Sequence, residues 1–109
     1  MFLSPLFVYQ IIDHARLRGI RVLAEFDTPG HTLSWGKGIP SLLTQCFENG
    51  KPNGQLGPFD PTKKSTYDFL QVFYSEIALR FPDLYMHIGG DEVNTQCWAS
   101  NPKIKQFMK

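Results

Sequence analysis

The sequence predicts an α/β fold in which helices alternate with parallel strands, and three observations carry that expectation. Ser4-Pro5, Asp60-Pro61 and Asn101-Pro102 each place an N-cap side chain before a proline at the first helical position, where the missing N–H costs nothing. Apolar residues recur at helical spacing after the first two of these pairs. Two short strand-like runs, Ile20 to Phe26 and Leu84 to Ile88, lie between the helices, so the order is helix, strand, helix, strand, helix.

The first helix is expected from about Pro5 to Arg18, with Val8, Ile11, Ile12 and Ala15 as its apolar stripe. Gly19, which tolerates a left-handed backbone, ends it. In the strand that follows, Val22, Ala24 and Phe26 share one face, while Arg21, Leu23, Glu25 and Asp27 share the other. The second helix begins at Pro61 or a few residues later, carries Phe69, Leu70, Phe73, Ile77 and Phe81, and stops at Pro82. In the second strand Leu84, Met86 and Ile88 face one way and Tyr85 and His87 the other. The third helix starts at Pro102 and runs toward Lys109. Strands of an open doubly wound sheet are apolar on both sides, whereas the partly polar second face here suits the lumen of a closed barrel. The long connection from Thr28 to Asp60, rich in Gly, Pro and Asn, follows the C-terminal end of the first strand, which in a barrel is the active-site rim.

With 109 residues, a formal net charge of +1 and 42% hydrophobic content, the chain has ordinary globular composition and allows one small domain. Nothing in the charge balance points to a nucleic acid or a membrane surface, and no run approaches the roughly 18 apolar residues of a membrane span. The apolar opening "MFLSPLFVYQII" lacks a basic n-region and a small-residue cleavage site, and Pro5 interrupts it, so no clear signal peptide is read there. No internal repeat and no N-x-Ser/Thr sequon occurs.

The chemistry concentrates in two stretches. In "LYMHIGGDEVNTQCW", residues 84 to 98, a strand runs through two glycines into adjacent acids, Asp91 and Glu92. Neighbours on an ideal strand point to opposite sides, but Gly89 and Gly90 allow the chain to leave strand geometry and bring both carboxylates to the rim. These four residues by themselves also fit a glycine turn carrying two solvated acids. In "EFDTPGHTLSW", residues 25 to 35, Glu25, Asp27 and His31 lie at and just beyond a strand end, with Pro29-Gly30 as a tight turn. His31 is placed to orient a carboxylate on the neighbouring strand or to assist its proton transfers, or else to make structural hydrogen bonds in the loop. Paired acids suggest glycoside hydrolysis, yet the ordinary retaining arrangement needs carboxyl groups about 5 to 5.5 Å apart across the scissile bond. Consecutive acids suit another division of labour, in which one protonates the leaving oxygen and its neighbour holds a nucleophile belonging to the substrate.

The stretches "RGIRVLAEFDTPGHTLSWGKGIPSLLTQC" and "FPDLYMHIGGDEVNTQCWASNPKIKQFM" closely resemble the lysosomal-type β-N-acetylhexosaminidases of glycoside hydrolase family 20, over about Ala15 to the end and including the spacing between the blocks. The resemblance implies a fragment of a (β/α)8 TIM barrel, about two strands and three helices of it, forming part of a catalytic domain. It implies removal of terminal β-linked N-acetylglucosamine or N-acetylgalactosamine from glycoconjugates with retention and with no cofactor or metal. By position, Glu92 matches the general acid/base and Asp91 the residue that orients the 2-acetamido group. His31 matches the histidine that contacts the acid, with Asp27 as support behind it. Cys46 and Cys97 match cysteines that form a disulfide, which in turn implies an oxidising compartment, lysosomal or secreted. Trp35 and Trp98 serve rim packing or stack on sugar, Trp98 being the candidate substrate contact. The resemblance also implies a dimer of the complete protein.

A (β/α)8 barrel takes about 250 residues, so catalysis is expected of the complete barrel rather than of this stretch alone. The family's substrate-binding arginine, an aspartate on an earlier strand and later sugar-pocket aromatics have no counterparts here. Two further readings stay open. One is a noncatalytic carbohydrate-binding or interaction fragment derived from such an enzyme. The other is a metal-dependent hydrolase using Asp27, His31, His87, Asp91 and Glu92, although their spacing matches no standard metal motif.

Overall fold

The computed structural model describes residues 4–109, so the first three residues of the apolar opening stretch lie outside the described residues. Helix α1, Pro5–Arg16, starts as the Ser4-Pro5 pair predicts: the Ser4 side chain accepts the Phe7 amide, and the chain leaves the helix through Gly19 at φ +69°. None of its residues is buried. Helix α5, Pro102–Phe107, is capped by Asn101, whose Oδ1 accepts the amides of Lys103 and Ile104. Helix α3, Lys64–Arg80, begins later than Asp60-Pro61. The Asp60 carboxylate is buried and turns the chain locally instead, accepting from the Thr62 amide and hydroxyl and pairing with Lys63 at 3.3 Å. Burial opposes ionisation of Asp60, but the bonds from Thr62 and Lys63 outweigh it and hold its pKa below the usual carboxylate value.

The two expected strands do meet side by side and parallel, but as a single bridge, Glu25 opposite His87, rather than as a ladder. Three backbone bonds join them: His87 N–H to Ala24 O at 2.9 Å, Phe26 N–H to His87 O at 3.1 Å, and Thr28 N–H to Ile88 O at 3.0 Å. Accessibility alternates along the first of them as predicted, with Val22, Ala24 and Phe26 half-buried and Arg21, Leu23 and Glu25 exposed. Neither segment has a further strand beside it among the described residues. Lateral neighbours complete a parallel ladder and cover its edges.

The sheet that the sequence reading leaves out lies within the connection from Thr28 to Asp60. After helix α2, Trp35–Gly38, and a 3₁₀ turn at Pro40–Leu42, strands β1, Leu43–Glu48, and β2, Lys51–Phe59, form an antiparallel hairpin. Its signal is Asn49-Gly50: both take positive φ, 50° and 76°, between the paired residues Glu48 and Lys51. That is the two-residue turn whose twist matches the flanking strands. Register slips between Leu43–Phe59, Gln45–Leu56 and Phe47–Pro52, so β2 carries bulges, one beside Gly54 at φ +82°.

The core gathers around this hairpin. Leu42, Leu43 and Phe59 are almost fully buried, and Trp35, Phe69 and Leu70 pack on them. An aromatic chain continues from Trp35, whose ring centre lies 5.4 Å from Phe59 and 5.0 Å from Phe73, to Phe26, 5.2 Å from Phe73. Tyr74 of α3 then donates its hydroxyl to Phe26 O at 2.9 Å and lies 3.2 Å from Thr28 Oγ1. The helix therefore grips the strand end from which the functional loop departs.

Candidate active site

The loop after the first strand is built on Thr28-Pro29, a cis peptide, and on buried Gly30 and Thr32. Pro29 O accepts from Phe59 N–H and from the Thr32 hydroxyl, each at 3.0 Å, which ties the loop to the end of β2. His31 projects from it with a left-handed backbone, φ 55°. Its Nδ1 lies 2.5 Å from Asp27 Oδ2, and its Nε2 faces Glu92 Oε2 at 3.8 Å.

The opposite wall is the segment after the second strand. Gly89 and Gly90 take φ +70° and +105°, as the departure from strand geometry requires, and Glu92 follows at φ 52°. Gly90 N–H donates to Asp27 Oδ1 at 2.9 Å, and a Cβ on Gly89 would stand 1.9 Å from the same oxygen. Only glycine fits against that carboxylate. Asp27 thus spends one oxygen on the glycine turn and the other on His31, and so couples the two loops.

The electrostatics follow from these contacts. The Gly90 amide, then the His31 ring, hold the Asp27 carboxyl below its usual pKa. The bond to Asp27 raises His31 above an ordinary histidine, and the negative charges of Asp91 and Glu92 add to that. Glu92 remains largely exposed and borders a cleft of about 570 Å³ that runs between the His31 loop and the hairpin, past Asn53, Gln55 and Gln96.

Behind the acids the chain is fastened to the hairpin. Helix α4, Gln96–Ser100, which the sequence reading does not include, carries Cys97, disulfide-bonded to Cys46 of β1. Trp98 donates its indole N–H to Thr44 Oγ1 at 3.1 Å and to Phe59 O at 3.0 Å, while Asn101 Nδ2 donates to Gln45 O at 2.9 Å. Trp98 stands outside the cleft lining, and Trp35 lies in the aromatic core, so packing occupies both rings. Asp27, His31, His87, Asp91 and Glu92 are not gathered around a common point: among the described residues no three His, Cys, Asp or Glu side chains are grouped as metal ligands would be.

The whole chain, residues 1–109, matches the family model of the glycosyl hydrolase family 20 catalytic domain. It is 60% identical over 102 residues to the rat β-hexosaminidase subunit alpha and 56% identical over 106 residues to the human β-hexosaminidase subunit beta. These alignments cover 94% and 97% of the chain but 19% of each relative, so the chain spans about a fifth of the length of the curated relatives it matches. Its fold superposes on a family 20 exo-β-N-acetylglucosaminidase from Vibrio harveyi, solved with N-acetylglucosamine, at a TM-score of 0.78 and 31% identity over 98% of this chain and 17% of that one. A Flavobacterium johnsoniae chitobiase gives a TM-score of 0.80 at 29% identity, over 97% of this chain and 16% of that one. The chain belongs to glycosyl hydrolase family 20, as part of its catalytic domain. The strand pair, open on both sides among the described residues, lies in a chain that covers only 16–17% of those two solved family 20 structures.

Proposed function

We propose that these residues form the acid/base side of the active site of a β-N-acetylhexosaminidase, which removes terminal non-reducing β-linked N-acetylglucosamine or N-acetylgalactosamine from glycans with retention. The observation that carries this reading is Glu92 facing His31 at 3.8 Å, with Asp27 bonded behind that ring, at the edge of a cleft. In the proposed reaction the acetamido oxygen of the substrate attacks the anomeric carbon. The glycosidic bond breaks, its electron pair goes to the leaving oxygen, and Glu92 supplies the proton. Asp91 orients the acetamido N–H and offsets the positive charge of the oxazolinium ring. Glu92 then takes a proton from water, whose oxygen attacks the anomeric carbon and reopens the ring. His31, held by Asp27, positions Glu92. Trp98 supports the rim from behind through its bonds to β1 and β2. The Cys46–Cys97 bridge suits a lysosomal or secreted protein, and assembly of the complete protein into dimers belongs to the same reading.

A second reading, a noncatalytic carbohydrate-binding or interaction fragment, is favoured by one observation. The strand pair is open on both sides among the described residues, and the Glu92 side chain is 79% exposed, so this stretch alone does not enclose a sugar. The deciding assay follows hydrolysis of a 4-nitrophenyl β-N-acetylglucosaminide and of a β-linked N-acetylglucosamine disaccharide by the complete protein and by its Glu92→Gln variant. Turnover is expected to fall by roughly 10²–10⁴-fold in the variant. The loss should be larger on the disaccharide, whose leaving alkoxide needs the proton more than an activated phenolate does. Undiminished turnover in the variant would remove Glu92 from the acid role. A folded wild-type protein without turnover would favour the binding-fragment reading.

A further inference from the structure

His87 takes no part in the reaction as described, yet it sits opposite Glu25 in the parallel bridge and two residues before the glycine turn. Its Nδ1 accepts the Gly89 amide at 3.0 Å. An amide N–H needs a lone pair there, so this contact requires a tautomer with no proton on Nδ1, an assignment that rests on the hydrogen-bond network. Glu25 Oε1 lies 3.5 Å from the same nitrogen and, being an acceptor like the unprotonated Nδ1, does not compete for the Gly89 N–H through that ring. The two consecutive glycine amides are thus each taken by a side chain, Gly89 by His87 and Gly90 by Asp27, at the two residues where φ turns positive.

We propose that His87 is a positioning residue: through Nδ1 it holds the Gly89 amide and so sets the turn from which Asp91 and Glu92 reach the rim. The contact is the geometry of an Asx turn, in which a side-chain acceptor near Cβ takes the N–H two residues on. An asparagine Oδ1 occupies nearly the place of the imidazole Nδ1, whereas a glutamine carbonyl lies one bond farther out, near Nε2. His87→Asn therefore keeps the turn, while His87→Gln and His87→Leu lose it. The main-chain bonds of the bridge, Ala24 O to His87 N–H and His87 O to Phe26 N–H, are unchanged by all three.

The consequence for catalysis rests on the hexosaminidase reading, but the turn is tested without it. Amide hydrogen exchange at Gly89, followed by NMR on the complete protein, should be slow in the wild type and in His87→Asn and at least roughly tenfold faster in His87→Leu and His87→Gln. The ¹⁵N spectrum of the wild-type ring should show Nδ1 without a proton. In the complete protein, kcat should fall by roughly tenfold to a hundredfold in the Leu and Gln variants with KM within about threefold, and His87→Asn should restore it. Gly89 exchange unchanged in His87→Leu, or a protonated Nδ1, overturns the proposal. So does activity restored by Gln and not by Asn, which would assign His87 a contact made through Nε2. Correct exchange behaviour in a protein without glycosidase activity would instead sink the hexosaminidase reading and leave the turn in place.

Discussion

His31 and Glu92 face each other from two loops, and both hold a left-handed backbone, φ 55° and 52°. Such conformations cost roughly 1–3 kcal/mol each for residues with a side chain and persist where the surroundings over-determine them. Here Asp27 does so, through Gly90 on one side and His31 on the other. The depressed Asp27 carboxyl contributes stability that is present above its unfolded value of about 3.9 and is lost as pH falls through the folded value. The raised His31 contributes stability that is present below its unfolded value of about 6.5 and is lost as pH rises through the folded value. The pair therefore works fully between about pH 4 and about pH 6.5. In an NMR titration the His31 midpoint should lie above 6.5, the ordinary histidine value here, and Asp27→Asn should bring it down toward that value. An unmoved midpoint would mean that Asp27 does not hold the ring. At this scale the sequence marks Asp27, His31, Asp91 and Glu92 through strand ends and a glycine turn. What it did not show is that Asp27 links both loops, because the bond from Asp27 to Gly90 spans 63 positions.

The helices were largely legible because their caps are local, Ser4 before α1 and Asn101 before α5. The hairpin was not read although Asn49-Gly50 is its local sign, since the flanking strands lack clean alternation and β2 holds Pro52, Gly54, Gly57 and Pro58. Those bulging residues have a use. A Cβ on Gly57 would lie 2.5 Å from Cys97 Cβ and Sγ, so only glycine lets β2 pass the disulfide. Gly57→Ala should destabilise the fold by about 1–3 kcal/mol, seen as a lower denaturation midpoint with an unchanged slope. Removing the bridge with Cys46→Ser and Cys97→Ser, which opens a loop of 51 residues, should cost about 4 kcal/mol in the chain-entropy model. Midpoints equal to wild type in both cases would show that the hairpin does not depend on α4 for its position.

At the scale of the whole molecule the chain is long and open, 56 × 28 × 23 Å with a radius of gyration of 17.0 Å, against about 13 Å for a compact chain of this length. Its accessible surface, 8167 Å², exceeds by about 2,000 Å² what a monomer of this mass exposes. Much of the excess is apolar: Leu84 is 94% exposed, Leu79 89% and Val72 70%. These residues fit a barrel slice whose neighbouring strands and helices would cover them. The 109-residue chain by itself should therefore self-associate in sedimentation velocity and bind an apolar fluorescent dye, whereas the complete protein should not bind the dye. A monodisperse, dye-free monomer would show that these faces need no cover. By itself the sequence determined the starts of α1 and α5, the two strand segments, the acid pair and the family, since caps, side-chain periodicity and motif spacing are properties of contiguous residues. Only the tertiary structure decided that Asp27 takes the Gly90 amide, that His31 stands between Asp27 and Glu92, and that the rim loop folds as a hairpin tied by a disulfide to the segment after the acids. The Asp27–Gly90 bond and the disulfide join residues 63 and 51 positions apart, and no local preference specifies either.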